Sequence, residues 1–409
     1  MMLLAGSGAI VSAQPVASIA LPDPGGVEQL YAGCNNISLT FPDATPSQTV
    51  VQAVTPAGTV DTLWRFNGPL NKFEGFSPAY RQASDLMSVN FLDAVWLCIR
   101  EAAGTTNTPD LDSVMSWAYQ IQELEAAGAV DALVVSDYDL LVIEPTRSIV
   151  GSEDFDTAGL VARLHGRGKL VLAYVDIGEA EDYRSYWQAD WEAPSAGGPG
   201  SPDFLLTADP GGWSGDYPVA YWDQRWKSTV IYDEDSLLDM ALDDGFDGIY
   251  MDWIEAYSEE NVAAAAEDQG LDPAAEMVGF IREMRDYARG RHPGFLLVAQ
   301  NAAELAQEQP EYLALIDGLA QEDLSFSGEA DTEWGDPSSG DIPTLQEDQE
   351  HLIELFGLYQ QAGLPIFCVD YALQEDNVRH AYDTAEQAGC LGYVSQTPLS
   401  RLTETPPPP

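Results

Sequence analysis

The chain has 409 residues, with 67 Asp and Glu against 17 Lys and Arg and a formal net charge of −50. That length allows one large domain and a smaller one. The acids are scattered along the whole chain, which excludes a nucleic-acid partner, because phosphates are met by clustered Lys and Arg.

An apolar fraction of 45% supports a sizeable core, so the acidity is read as a solvated surface and not as a disordered arm. Such a surface is expected of a salt-adapted or secreted protein, and it is compatible with a cationic ligand. Residues 1–13 form a short apolar stretch ending in Val11-Ser12-Ala13, read as a signal peptide cleaved after Ala13. It is too short to span a bilayer, and no other stretch is long and apolar enough, so a secreted protein without a membrane span is expected. Residues 14–26 are rich in Pro, Ala and Gly and read as a linker.

Residues 27–103 are expected to form a small β-rich accessory module, all-β, with strands at Ile37–Phe41, Thr62–Phe66, Phe73–Phe76 and Ala94–Ile99 and a turn at Asn67-Gly68. Its aromatics Trp64, Phe66, Phe73 and Trp96 are expected to make its core, the alternative being a sugar- or surface-binding face. Residues 101–111 read as a second linker.

From Asp112 the pattern changes to short apolar runs alternating with longer amphipathic stretches, the signature of repeated β–α units. Eight runs follow in order: Ser116–Ile121, Leu140–Glu144, Leu170–Gly178, Gly248–Asp252, Phe295–Asn301, Ile316–Glu322, Pro365–Tyr371 and Leu391–Ser395. Helices are predicted at 155–167, 234–244, 272–290, 302–312, 345–363 and 375–388. The fold class is α/β, a (β/α)8 TIM barrel over 112–402 preceded by the small β module. Residues 180–233, rich in Trp, Gly and Pro, form a long insertion on the active face. Residues 403–409 read as a disordered tail.

Four cysteines, Cys34, Cys98, Cys368 and Cys390, admit three pairings; two local bridges and buried free thiols both remain open. With four His and no Cys/His cluster, neither a metal site nor a cofactor is expected.

Polar side chains recur where the runs end: Glu144, Asp176 with Glu179, Glu181 and Asp182, then Asp252, Gln300-Asn301, Gln321-Glu322-Asp323 and Asp370-Tyr371. In a parallel barrel these positions converge on one mouth. Paired carboxylates there suit glycoside hydrolysis, which needs one protonated and one ionised group about the sugar, and neighbouring acids push each other's pKa values apart. Tyr174, Trp187, Trp191, Trp213, Tyr221, Trp222, Trp226, Tyr250, Trp253 and Tyr371 are candidate faces for sugar rings.

The segments Asp176–Arg184, Tyr221–Asp223 with Trp226, Gly245–Asp252, Gln300-Asn301, Ile316–Asp323 and Val369–Tyr371 resemble glycoside hydrolase family 114, the endo-α-1,4-polygalactosaminidase-like barrels. The likeness is closest to a branch of secreted proteins once mislabelled as related to cysteinyl-tRNA synthetase, and it covers about 112–402. The resemblance implies hydrolysis of an α-1,4-linked, galactosamine-containing polysaccharide by two carboxylates after the fourth and sixth strands. These correspond to Asp252, as nucleophile or water-activating base, and Glu322, as general acid/base. It further implies that Asp176, Glu179, Glu181, Asp223, Asn301, Asp370 and Tyr371 line the sugar subsites, with Tyr174 and Trp222 among the aromatic candidates. The segment Tyr250–Glu255 departs from the characterised polygalactosaminidases, and Glu255 is expected to support and not to catalyse. Arg184 close to Glu181 is a candidate ion pair. The competing reading is a non-catalytic carbohydrate-binding or cell-surface protein on the same barrel. The partner is a polysaccharide, and a monomer is expected. Aminoacyl-tRNA chemistry fails on charge and on the absence of a phosphate-binding glycine loop.

Overall fold

The computed structural model describes residues 17–22, 26–30, 33–55, 60–67, 72–76, 86–99, 110–195, 198–328 and 331–403. The expected signal peptide, the turn beyond Asn67, most of the second linker and the tail after Thr403 lie outside these residues. The chain divides into two compact units, Met1–Asn107 and Thr108–Pro409.

In the first unit, strands Gly33–Ser38, Ala94–Ile99, Val60–Asn67 and Lys72–Phe76 form an antiparallel sheet in that order. Ala17–Leu21 pairs with Gly26–Leu30 and with Val54–Thr55. Residues expected to be linker are therefore sheet, anchored by the fully buried Ile19. A helix at Ser47–Gln52 interrupts the strands. The strand period of two sends Leu63 into the core and leaves Trp64 39% and Phe66 45% exposed. For these two aromatics the core expectation is corrected. Cys34 and Cys98 stand directly opposite each other in register.

The second unit is the barrel. Its parallel strands are β1 (Trp117–Gln120), β2 (Leu140–Ile143), β3 (Leu170–Asp176), β4 (Gly248–Asp252), β5 (Leu296–Gln300), β6 (Gly318–Glu322), β7 (Ile366–Tyr371) and β8 (Leu391–Ser395), each paired with the next. Trp117 Nε1 donates to the Leu391 carbonyl at 2.8 Å and ties β1 to β8. The strands are almost wholly buried, as the continuous apolar runs require: helices cover one side and the barrel interior fills the other. Aromatic rings fill that interior. Trp117 lies 5.5 Å from Phe367 and 5.7 Å from Tyr393, and Tyr119 lies 5.0 Å from Tyr250. The expected (β/α)8 architecture is what forms. Helices Ala129–Val135 and Glu260–Asp268 were not anticipated; both are short and rich in small residues.

Acids at the other end of the strands do structural work. Asp247 Oδ2 accepts the Val171 amide at 2.8 Å, and Asp317 Oδ2 accepts the Leu297 amide at 2.8 Å while Arg289 grips the same carboxylate. Position at a strand end therefore does not make an acid functional; the end must be the C-terminal one.

Cys368 in β7 and Cys390 just before β8 are disulfide-bonded across a separation of 22 residues. Loop-closure entropy for a bridge of that span contributes about 3 kcal/mol. Replacing both cysteines by Ser should lower stability by roughly that amount in denaturant unfolding. A loss below half of it would show that helix Glu375–Ala388 already holds the two strands in the unbridged chain.

Candidate active site

Three consecutive strands deliver the centre of the site, and each leaves the sheet through backbone that L-residues adopt at a cost. Trp253 after β4 has φ 58°, Asn301 and Ala302 after β5 have φ 55° and 52°, and Asp323 after β6 has φ 59°. Such conformations cost of order 1–3 kcal/mol each and cluster where a site must be held in one geometry. Gly178 after β3 belongs to the same arrangement. A Cβ there would lie 2.2 Å from the Trp253 carbonyl oxygen, so only glycine lets the β3 and β4 loops meet.

Asp252 ends β4 opposite Asp176 of β3. Its Oδ2 accepts the Tyr174 hydroxyl at 2.7 Å and its Oδ1 accepts the Trp253 amide at 2.7 Å. Burial pushes its carboxyl well above the usual range, and the Glu322 and Glu255 charges push it further; the two hydrogen bonds oppose that rise.

Glu322 ends β6 between two donors. Tyr371 from β7 donates to Oε1, and Asn301 Nδ2 reaches Oε2 at 3.2 Å. Asn301 is the hub of the site. The same Nδ2 reaches Glu255 Oε1 at 3.2 Å, while its Oδ1 accepts the Glu322 amide at 3.0 Å and Gln321 Nε2 at 3.1 Å. One side chain thus orients two carboxylates and fixes the backbone of one of them.

Glu255, expected in a supporting role, shares the Asn301 amide with Glu322. It lies on a 3₁₀ turn, Ile254–Ser258, and its other oxygen, Oε2, is buried with no hydrogen-bond partner. Burial foremost, with Glu322 adding, pushes its carboxyl up to about 7.

Glu255, Asn301 and Glu322 line an open groove of about 810 Å³. Its walls carry six carboxylates, Glu255, Glu304, Glu308, Glu322, Asp323 and Asp348, and no lysine or arginine. Burial raises Asp323 to about 8, with the Glu322 charge second. Among the described residues no group of three or more His, Cys, Asp or Glu is arranged to hold a metal ion.

The model of glycoside-hydrolase family GH114 matches residues 99–406. The chain belongs to family GH114. An uncharacterized protein of Deinococcus radiodurans is 32% identical over 72% of this chain and 84% of its own length. One of Thermotoga maritima is 28% identical over 69% and 81%. Among solved structures, the glycoside hydrolase domain of PelA from Pseudomonas aeruginosa aligns over 71% of this chain and 98% of its own at 17% identity and a TM-score of 0.49. Aspergillus fumigatus Ega3 in complex with galactosamine aligns over 71% and 94% at 16% identity and a TM-score of 0.48.

Within this GH114 barrel, Asp252, Glu322, Asn301, Tyr174 and Tyr371 come together as the sequence suggested. Asp176 and Glu179 adjoin them but are deeply buried. Asp176 Oδ1 accepts the Gly178 and Glu179 amides at 3.0 and 2.8 Å and so starts the loop after β3. Glu179 is pushed up to about 10 by burial, then by Asp209, Asp216 and Asp252, and its Oε1 has no hydrogen-bond partner.

Other candidates are committed elsewhere. Glu181 is 2% exposed, with Oε2 on Arg184 Nε at 2.6 Å and Oε1 shared by Arg184 and Tyr183. Arg184 also binds Glu144 at 2.5 Å and Ser148 at 2.8 Å, so the anticipated ion pair extends to a second carboxylate, the one ending β2. Asp223 caps helix Gln224–Lys227 and pairs with Arg225 at 2.6 Å. Trp222 Nε1 turns to Gln269 at 3.4 Å. Asp370 is 1% exposed and holds the Ser325 and Phe326 amides at 2.6 and 2.9 Å, bracing the loop that follows Glu322. Glu181 and Asp370 are thus buried on structural partners, Asp223 is engaged by Arg225 two positions on, and Trp222 reaches Gln269 47 positions away.

Proposed function

We propose that this glycoside hydrolase is secreted and cleaves an α-1,4-linked, galactosamine-containing polysaccharide, with Asp252 and Glu322 as its carboxylate pair. The observation that carries the reading is the pairing itself. Two carboxylates from β4 and β6 are each held by a tyrosine hydroxyl, Tyr174 on Asp252 and Tyr371 on Glu322, and Glu322 opens onto a groove whose charged lining residues are all acids. Asp252, accepting two hydrogen bonds, is set up as nucleophile or water-activating base, and Glu322 as the group that exchanges a proton with the glycosidic oxygen. A sugar bearing an ammonium group meets six carboxylates there, and an anionic sugar meets no counter-charge. Secretion is supported by the apolar N-terminal stretch and by the Cys368–Cys390 bridge, which suits an oxidising compartment. No helix among the described residues is long and apolar enough to cross a membrane.

The test is release of new reducing ends from a deacetylated galactosamine polymer, its N-acetylated form, and neutral α-glucan and α-galactan. Cleavage of the deacetylated polymer is expected. Cleavage of the neutral polymers alone would overturn the substrate assignment, and binding of all of them without cleavage would favour the non-catalytic reading.

The third carboxylate yields a pH prediction. Asp252 must be ionised to act as nucleophile or base, so its pKa sets the acidic limb of kcat/KM. The Glu255 charge is one of the influences that raise that pKa. Glu255→Gln removes it, and the acidic limb should move to lower pH with activity retained. An unmoved limb in a pH series of kcat/KM would show that Glu255 does not couple to Asp252.

A further inference from the structure

The insertion after β3 buries most of its aromatic rings among themselves. Trp187 and Trp191 lie 5.2 Å apart, Trp191 and Phe204 5.3 Å, and Phe204 and Trp226 6.1 Å. Trp213 does the opposite: its side chain is 65% exposed. A single exposed apolar residue is ordinary on a protein surface. This one is held in place by its surroundings. Asp209, itself 8% exposed, accepts the Trp213 amide on its carboxylate at 2.7 Å, and its own amide donates to the Asp216 carbonyl at 3.1 Å. The loop is then sewn to the neighbouring strand by Asp182, whose amide donates to the Gly215 carbonyl at 2.8 Å.

Tyr183 supplies a second ring, 39% exposed, with the Arg184 guanidinium 5.5 Å from its centroid. The loop that carries Trp213 is rich in glycine and approaches both rings. A Cβ on Gly211 would stand 3.4 Å from Trp213 Cδ1, and one on Gly215 would stand 3.5 Å from Tyr183 Cδ1. Gly215 has φ 106°, so the turn itself needs glycine. Asp182, Asp209 and Asp216 surround the loop.

The position links this surface to the carboxylate pair. The loop leads straight into Asp216–Pro218, which pairs antiparallel with Glu179–Glu181 just beyond β3. At the base of this pair the Ile177 amide donates to the Asp252 carbonyl at 3.1 Å. Three residues of strand at about 3.3 Å each put the far end of the pair roughly 10 Å beyond Glu179. That distance is too great for the sugar being cut and suits another residue of the same polymer.

We propose that Trp213, the glycine-rich loop that carries it and Tyr183 form an accessory subsite for an amino-sugar residue of the polysaccharide remote from the scissile bond. The inference rests on the substrate reading given above. The indole face takes the apolar face of the sugar, an ammonium group is attracted by the ring and by Asp182, Asp209 and Asp216, and the gain accrues only to chains long enough to reach it.

The test uses the full chain and two substrates, a long deacetylated galactosamine polymer and a short oligosaccharide of the same sugar. Trp213→Ala should raise KM for the polymer about tenfold, equivalent to roughly 1.4 kcal/mol, and leave kcat/KM for the oligosaccharide within about twofold. Trp213→Tyr should restore most of the polymer KM. An unchanged polymer KM, or an equal change on both substrates, overturns the proposal. Binding is read apart from cleavage by affinity electrophoresis in gels holding the polymer, comparing Glu322→Gln with Glu322→Gln/Trp213→Ala. Weaker retardation of the double variant supports the subsite; equal retardation, including none in either, overturns it. Trp213-dependent retardation with no cleavage by the native chain would sink the catalytic reading and leave the subsite standing.

Discussion

Glu322→Gln should lower kcat on a galactosamine polymer by about 10²–10⁴-fold, and Asp252→Asn by a similar factor, since in the proposed mechanism each removes a group that moves a proton or forms a bond. The double variant should lose little more than the worse single one, because the two act as a unit. The companion expectation concerns stability. Both carboxylates sit in a cluster without a cation, and Asp252 is held well above its usual pKa by burial and by the charges of Glu322 and Glu255. Taking one charge out of that cluster relieves repulsion, so the thermal midpoint of either variant should stay level or rise. Reducing-end assays with thermal unfolding on the same preparations check both halves. Full activity in either variant would reassign the pair. Lost activity together with a lowered midpoint would show that the side chain holds the barrel mouth together.

Replacing Arg184 should cost more stability than replacing either carboxylate of the pair. Arg184 is 2% exposed and joins Glu144 from β2 at 2.5 Å to Glu181 of the insertion at 2.6 Å, with Ser148 as a further partner. Arg184→Met leaves two buried carboxylates without a counter-charge, a change that costs about 3–5 kcal/mol in comparable sites. The cost depends on pH with a defined sign. Burial already pushes Glu144 up to about 7 and the Arg184 charge opposes that rise. Without Arg184 its folded pKa climbs further above the unfolded value. Folded protein then holds a proton that unfolded protein releases, and the destabilisation grows as pH rises through neutrality. The triple change Glu144→Gln, Glu181→Gln and Arg184→Met removes the buried charges together and should recover most of the loss. Denaturant unfolding at pH 5 and pH 8 would decide. A loss of activity with unchanged stability would place Arg184 in the chemistry instead of the scaffold.

Arg184 also shows why part of the site was legible in the sequence and part was not. Glu144, Glu181 and Asp370 end strands or begin loops in the same way as Asp252 and Glu322, and nothing local distinguishes them. What separates them is the partner each meets. Glu144 meets Arg184 forty positions away, and Asp370 meets the Ser325 and Phe326 amides 45 and 44 positions away. Glu255 is expected to support from beyond the strand, and the side chain that engages it, Asn301, stands 46 positions away. Trp64 and Phe66 were assigned to a core by composition, and register turned both outward.

By itself, then, the sequence determined the eight-strand order and put polar groups at the C-terminal ends of most strands, and its ordered motifs carried the resemblance to GH114, because apolar runs and motifs are properties of short contiguous segments. Gly248–Asp252 and Leu391–Ser395 form as strands with the limits read from the chain. The tertiary structure alone decided which acids are neutralised inside the protein and which stand in the groove, and that Asn301 couples Glu255 to Glu322. Those outcomes rest on hydrogen bonds and burial between segments tens of residues apart, where a carboxylate's role is set by what faces it and not by its neighbours in the chain.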